Sequence, residues 1–305
     1  MSMKSSKWFH IKEKLIRSYF TLTGGIAILI LLLIFVFLVT EGYPAIREIG
    51  LLEFLSGQRW MPSSSDPGYG TVPMILGTLL IALGSIAIAV PWGIITAGYI
   101  AEIAPNNIKE IMKVTIETLA IFPSVVLGFI GLTILAPFLG NLFQLSNGLT
   151  ALTGSLMLSI MALPTIISIS EDSLNSVPKA HKEAAYALGA TKWETLIKIT
   201  YPSAASGIIA AVMLGFGRAV GETMTVLMVT GNALNLPVTK VWGVPFPDFL
   251  TSVRTLTATI AIEGSDVPWG SLHYHSLFVV GIILFLMTFA VNILADLAQG
   301  RSRKG

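Results

Sequence analysis

Six stretches of this chain are apolar over enough residues to cross a bilayer, at roughly 22–40, 74–99, 113–136, 149–170, 204–230 and 276–297. A spanning helix needs about 17–25 mostly apolar residues, and polar flanks separate these six cleanly. The pattern predicts an all-α integral membrane protein with six transmembrane helices, because a single spanning segment must satisfy its own backbone N–H and C=O groups.

Three larger segments lie between the spans, at 41–73, 171–203 and 231–275, and none is long enough for a soluble domain. Two of them, 41–73 and 231–275, are rich in Pro, Gly and Trp ("RWMPSSSDPGYG", "VWGVPFPDFL", "DVPWGSLHYH"), which predicts irregular loops resting at the membrane interface. Several spans carry helix-perturbing residues inside, among them Pro91, Gly93, Pro123, Gly128, Gly131 and Pro164. Such residues fit a packed bundle that encloses a path, or simply close helix packing. The first span follows a basic N-terminus but is too long for a secretory signal. No small-residue cleavage pattern follows "FLVTEGYP", so an uncleaved anchor is expected. The chain contains no internal repeat and no low-complexity tract.

Composition agrees with the pattern, since 53% hydrophobic residues and a mean hydropathy of +0.77 exceed what one soluble core of 305 residues hides. The net charge of +2 conceals a segregation. With a cytoplasmic N-terminus, fourteen lysines and arginines fall inside, four (Arg47, Arg59, Lys240, Arg254) fall outside and Arg218 lies within a span. That asymmetry supports cytoplasmic placement of both termini. The expected organisation is a cytoplasmic N-terminus (1–21), a first span (22–40), an external loop (41–73), a transmembrane domain (74–297) and a cytoplasmic tail (298–305). The transmembrane domain includes an inner loop at 171–203 and an outer loop at 231–275. The chain has no cysteine, which excludes disulfides, thiolate metal sites and a cysteine nucleophile.

The inner loop, "EDSLNSVPKAHKEAAYALGATKWETLIKITYPS", reads as two short helices with a break. Asn175 or Ser176 is expected to cap the first, Pro178 sits near its first turn and Gly189 stops it. Thr191 starts the second, with Glu194 three residues on as a capping box, and Pro202 is expected to end it. Apolar Ala184, Ala185, Leu188 and Ile197 among charges suit docking into a partner's groove. Residues Glu183, Ala184, Ala185, then Gly189, then Ile199 and Pro202 resemble, at the same spacing, the coupling loop of ABC-importer permeases. Tyr201 stands where that family usually has leucine. The resemblance implies that this loop inserts into a separate ATPase subunit and transmits its closure to the membrane helices. The chain has no Gly-x-x-x-x-Gly-Lys-Ser/Thr loop for a nucleotide phosphate. ATP hydrolysis is therefore expected in trans, and the chain is expected not to be an enzyme.

Within the fifth span, "GFGRAVGETMTVLMVTG" places Arg218 and Glu222 in an apolar run. An arginine at mid-bilayer costs from about 2.5–3.5 to over 10 kcal/mol, so it needs a partner or water. The four-residue spacing puts both on one helical face. They fit a self-neutralising structural pair equally well as an anion path in which Arg218 contacts a passing oxyanion. In that path, Glu222 orients the guanidinium or accepts a hydrogen bond from a protonated oxygen. Gly215, Gly217 and Gly221 bring a neighbouring backbone close or leave room.

From residue 50 onward the chain resembles PstC-type permeases of phosphate-specific ABC importers. The matching phrases are "FLSGQRWMP", "GYGTVPMILGTLLIA", "ETLAIFPSVVLGF", the coupling loop, "GRAVGETM" and "LTATIAIEGSDVPWGSLHYHSLFVVGIILFLMTFAVN". The resemblance implies a type I ABC importer permease fold, in the cytoplasmic membrane of a prokaryote, with Arg218 and Glu222 in phosphate translocation. It also implies partners: a second permease of the PstA type, two ATPase subunits that bind ATP and Mg, and an external phosphate-binding protein. No cofactor in this chain and no nucleic-acid partner are expected. The alternatives are a permease for phosphonate, sulfate or molybdate, and a secondary anion transporter, which has no need of a docking elbow.

His273 and His275 lack an acidic or sulfur ligand close by in sequence and are expected to serve loop packing or an interface rather than a metal. Glu117, a turn from Lys113, is expected to make an interfacial or inter-helix contact. The hydroxyls of Thr78, Ser85, Ser124, Thr223 and Thr225 either line a path or bond back to their own helices.

Overall fold

A computed structural model describes residues 3–241 and 244–302; Trp242, Arg303 and Lys304 lie outside the described residues. The first helix, α1 (Met3–Ile49), runs far beyond the predicted span because its proline, Pro44, falls only in its last turns. Gly50, at φ +92°, ends it. A short α2 (Leu51–Ser56) and a hairpin of β1 (Trp60–Met61) and β2 (Gly68–Tyr69) lead into α3 (Val72–Gly98), which continues as a π-helical turn, Tyr99–Ile103.

The third span departs from its predicted limits of 113–136. Phe122 is extended ahead of Pro123, as residues before proline tend to be, so the chain divides there. On one side is α4 (Asn106–Ile121). On the other are α5 (Ser124–Ile130), a π turn over Gly131–Leu135, and α6 (Ala136–Leu142), which together form a spanning segment, Ser124–Leu142. The fourth span is α7 (Ala151–Asn175), capped by the Thr150 hydroxyl, which accepts from the Thr153 N–H at 3.3 Å.

The elbow follows as α8 (Lys179–Ala187), α9 (Lys192–Thr195), a π turn over Leu196–Thr200 and α10 (Tyr201–Ser203). The chain bends by 73° at Ala204 into α11 (Ala205–Gly221). The predicted fifth span is not one helix, because α11 stops at Gly221 and α12 (Met224–Val229) starts afresh.

The segments 41–73 and 231–275 are more ordered than the irregular loops predicted. Besides the first hairpin they hold β3 (Val238–Val241) paired with β4 (Val244–Pro247), and α13 (Leu256–Glu263). The last helix is α14 (Leu272–Ser302). Among the described residues, five helical segments are long and apolar enough to cross a membrane, and the bent pair containing α11 makes a sixth.

The centre of the bundle is α3, α7 and α11, where Ile81, Leu158 and Val220 are buried together. Helix α1 packs on α14 through Phe35 and Phe285, with ring centroids 5.1 Å apart. Its remaining apolar surface, including Leu31 and Leu33, stays exposed, as a lipid-facing helix requires.

Candidate substrate path and coupling surface

At the elbow, local rules act where the sequence places them. Gly189 takes φ +83°, a conformation that only glycine adopts without strain. Thr191 and Glu194 form the reciprocal capping box, with the Thr191 N–H donating to the Glu194 carboxylate at 3.0 Å. The first cap differs from expectation. Pro178 itself is the N-cap of α8, while Asn175 still belongs to α7 and Ser176 follows that helix as its C-cap. The Asn175 amide donates to Glu171 at 2.6 Å, and Ser176 Oγ donates to the Ser173 carbonyl at 2.7 Å. Pro202 likewise does not end the second helix. It sits inside α10, and the break falls at Ala204.

The elbow presents Glu183, Ala184, Tyr186, Leu188, Trp193 and Ile197 to the outside, while Ala185 and Ile199 are half-buried. Leu188 is 90% exposed. Burying such a side chain against a partner contributes about 1.5–3 kcal/mol. Tyr186 and Trp193 enlarge the apolar surface beyond the residues that the sequence singled out. The elbow is tied to the bundle by an ion pair between Lys182 and Glu102, and Lys182 also donates to the Leu174 carbonyl at 3.3 Å. Tyr201, the departure from the family pattern, donates its hydroxyl to the Ile94 carbonyl of α3 at 2.9 Å. Gly98 makes room for it, since a Cβ there would overlap the tyrosine hydroxyl.

Nearby, Glu171 is 4% exposed and receives Lys113 at 2.8 Å and Lys109 at 3.3 Å. Both lysines come from α4, so this carboxylate fastens α4 to α7. Lys113 therefore pairs across to α7 rather than with Glu117, which is exposed beside a small cavity of about 100 Å³.

Arg218 is on the last turn of α11 and is exposed in the single chain. Its Nη1 donates to Thr165 Oγ1 at 3.4 Å. Thr165 follows Pro164, which interrupts the hydrogen-bond ladder of α7. Gly215 seats α11 on α7, where an added Cβ would lie 2.9 Å from Ile166. Gly217 and Gly221 have nothing within 4 Å of such a Cβ, so no neighbouring element packs against them.

Arg218 and Glu222 do not lie within one helix, although their four-residue spacing suggests one. Glu222 is extended, at φ −70° and ψ 132°, beyond the end of α11. Its carboxylate accepts weakly from the Thr225 N–H at 3.4 Å, and its backbone carbonyl accepts from Thr257 Oγ1 at 2.9 Å. Among the described residues no ion pair joins it to Arg218. Of the candidate hydroxyls, Thr78 bonds back to the Met74 carbonyl and Thr223 to that of Gly221, while Thr225 reaches across to the Ser124 carbonyl. Ser85 is fully buried.

At the end opposite the elbow, the two histidines diverge. His275 Nδ1 meets the Glu41 carbonyl of α1 at 2.7 Å, and His273 Nε2 meets Glu263 at 2.8 Å. An acidic neighbour for His273 therefore exists, ten residues away in sequence. Trp60 and Arg254 converge on the same carboxylate, beside a cavity of about 500 Å³. Sequence reasoning missed Glu263; its only signal was an acid closing the apolar run "LTATIAIE".

Residues 89–304, which include the elbow and Arg218, match the family described as the binding-protein-dependent transport system inner membrane component. The chain belongs to that family. This transport component is 39% identical over 258 residues to a probable ABC transporter permease protein, YqgH, of Bacillus subtilis, covering 85% of this chain and 81% of the other. It is 35% identical over 295 residues to the phosphate transport system permease protein PstC of Mesorhizobium japonicum, covering 90% and 86%. In fold it is similar to a chain of a bacterial alginate ABC transporter, with a TM-score of 0.65 at 14% identity, covering 96% of this chain and 97% of the other. The transport component is thus a multi-pass membrane protein with the fold of ABC importer permeases, and family membership implies partnership with further transporter subunits and a binding protein.

Proposed function

We propose that this chain is the permease subunit of an ATP-driven importer that moves inorganic phosphate inward across the cytoplasmic membrane of a prokaryote by alternating access. The observation that carries this reading is its 35% identity, over 90% of its length, with a phosphate transport permease. The exposed guanidinium of Arg218, set among glycines, supports it, because it offers a planar array of donors suited to a tetrahedral oxyanion. Glu222, bonded elsewhere than to Arg218, serves as a separate acceptor for the protonated oxygen of a hydrogen-phosphate ion.

Energy comes from partner ATPase subunits, which bind ATP and Mg; this chain carries no nucleotide-binding loop and acts as a transport subunit rather than an enzyme. Glu183, Ala184, Ala185, Gly189, Ile199 and Pro202 form the coupling loop, and the exposed apolar elbow supports their docking into an ATPase groove. The complete transporter pairs this permease with a second one of the PstA type, two ATPase subunits and an external phosphate-binding protein.

The test is uptake of labelled phosphate by proteoliposomes holding the assembled complex. Glu183→Arg is expected to abolish ATP-driven uptake, and Arg218→Gln to abolish phosphate passage. Normal uptake with Glu183→Arg overturns the coupling role, and normal uptake with Arg218→Gln overturns the ion-path role.

A further inference from the structure

Glu263 closes α13 and collects donors from three other places in the chain. Trp60 Nε1 of β1 lies 3.0 Å from Oε2, Arg254 Nη1 lies 2.8 Å from Oε1, and His273 Nε2 lies 2.8 Å from Oε2. The side chains of Arg254, Glu263 and His273 are only 17%, 16% and 16% exposed. Charge-assisted bonds at such low exposure hold a helix end in one position. Arg254 extends the cluster, because its Nε donates to the Asn232 carbonyl at 3.0 Å, just beyond α12.

The other end of α13 meets the break in the substrate helix. Thr255 caps it, the Leu256 N–H donates to Thr78 Oγ1 of α3 at 3.1 Å, and Thr257 Oγ1 donates to the Glu222 carbonyl at 2.9 Å. A carbonyl released by a helix end inside the membrane needs a donor from a neighbouring element. Thr257 supplies it. At about 1.5 Å per residue, the six-residue step from Thr257 to Glu263 bridges roughly 9 Å between Glu222 and the Glu263 cluster.

We infer that Glu263 and Thr257 are positioning residues which, through α13, fix where the Arg218 helix breaks and so aim the Glu222 carboxylate. This rests on the proposed place of Arg218 and Glu222 in the phosphate path. Neither Glu263 nor Thr257 touches the ion; both act through the backbone at Glu222. The hydroxyl of Thr257, rather than its bulk, carries the inner contact.

The cysteine-free sequence provides the test, since Thr223→Cys puts a single thiol at the break. Its alkylation rate is measured in the assembled complex with Thr257→Val, Thr257→Ser, Glu263→Gln or no further change. Phosphate uptake is measured in parallel, without the reporter, against the concentration of phosphate-loaded binding protein. Thr257→Val and Glu263→Gln are expected to change the alkylation rate about fivefold and lower maximal uptake about tenfold, with the half-saturating concentration shifted less than about twofold. Thr257→Ser, which keeps the hydroxyl, is expected to match wild type in both. An unchanged alkylation rate in both Thr257→Val and Glu263→Gln overturns the inference, and so does a Thr257→Ser variant as impaired as Thr257→Val. If the wild-type complex moves no phosphate, the functional reading fails, while the alkylation rates still decide the positioning role.

Discussion

The Thr225 hydroxyl donates to the backbone carbonyl of Ser124 at 2.9 Å, and this bond joins the break ahead of α5 to the break that follows α11. Ser124 follows Pro123 at the start of α5, and Thr225 lies just past the break at Glu222 and Thr223. Irregular backbone at membrane depth persists only where something nearby satisfies it. Here the residue just past one break ties down the helix that starts at the other. Thr225→Val keeps the side-chain shape and removes this donor, while the Ser124 carbonyl keeps its place in the ladder of α5. The expected loss is about 0.5–1.5 kcal/mol, seen as a lower thermal midpoint of the purified complex in detergent, with Thr225→Ser close to wild type.

The Arg218 guanidinium bonds to Thr165 of α7 and the Glu222 carboxylate accepts from the Thr225 N–H of α12, so their effects on transport are expected to be independent. A mutual ion pair would make the second substitution cheaper once the first was made. Initial uptake rates of Arg218→Gln, Glu222→Gln, the double variant and wild type form a cycle whose interaction energy is expected to stay within about 0.5 kcal/mol. A coupling of about 1 kcal/mol or more would restore the pair. Arg218→Lys keeps the charge without the planar donor array, and its uptake is expected to fall nearly as far as that of Arg218→Gln.

What the sequence revealed and what it hid follow from the range of the interactions concerned. Gly189 and the Thr191–Glu194 capping box were legible because a turn and a cap are settled within a few residues. The membrane class was legible because it is a property of whole segments. The end of α11 was not, because an apolar run containing Gly221 and Thr223 is compatible with a continuous helix. What tips it is Thr257, thirty-five residues later, and Ser124, a hundred and one residues earlier than Thr225. Glu263 was hidden for the same reason, since its donors sit at positions 60, 254 and 273. The limits of α4 were half legible. Pro123 announced a break, but the apolar count across it suggested a single span.

The Glu171 carboxylate is expected to be the main fastening of α4 to α7, with Lys109 and Lys113 as its counter-charges. Removing one member of a buried charge group leaves the rest uncompensated, which commonly costs about 3–5 kcal/mol. Glu171→Ala is therefore expected to destabilise the complex by an amount near the lower end of that range, since the lysines are partly exposed and regain water. Hydrogen exchange checks it locally, with faster exchange expected along residues 106–121 and little change in α14. Lys109→Met, which leaves the shorter Lys113 contact in place, is expected to have the smaller effect.

The elbow separates backbone geometry from surface contact, and the two are tested apart. Gly189 has no atom within 4 Å of where a Cβ would sit, so a side chain there meets no obstacle. Only its φ of +83° resists substitution. Gly189→Ala is expected to cost about 1–2 kcal/mol, enough to misalign α8 and α9 in a fraction of molecules. Gly189→Asn, whose side chain tolerates this conformation better, is expected to cost less. Leu188→Asp leaves the backbone alone and places a charge on the most exposed apolar side chain of the elbow. It is expected to leave the thermal midpoint of the isolated permease unchanged and to weaken retention of the ATPase subunits during purification. If the ATPase subunits remain bound with Leu188→Asp and dissociate only with Gly189→Ala, the docking energy lies in the helix arrangement and not in the exposed apolar surface.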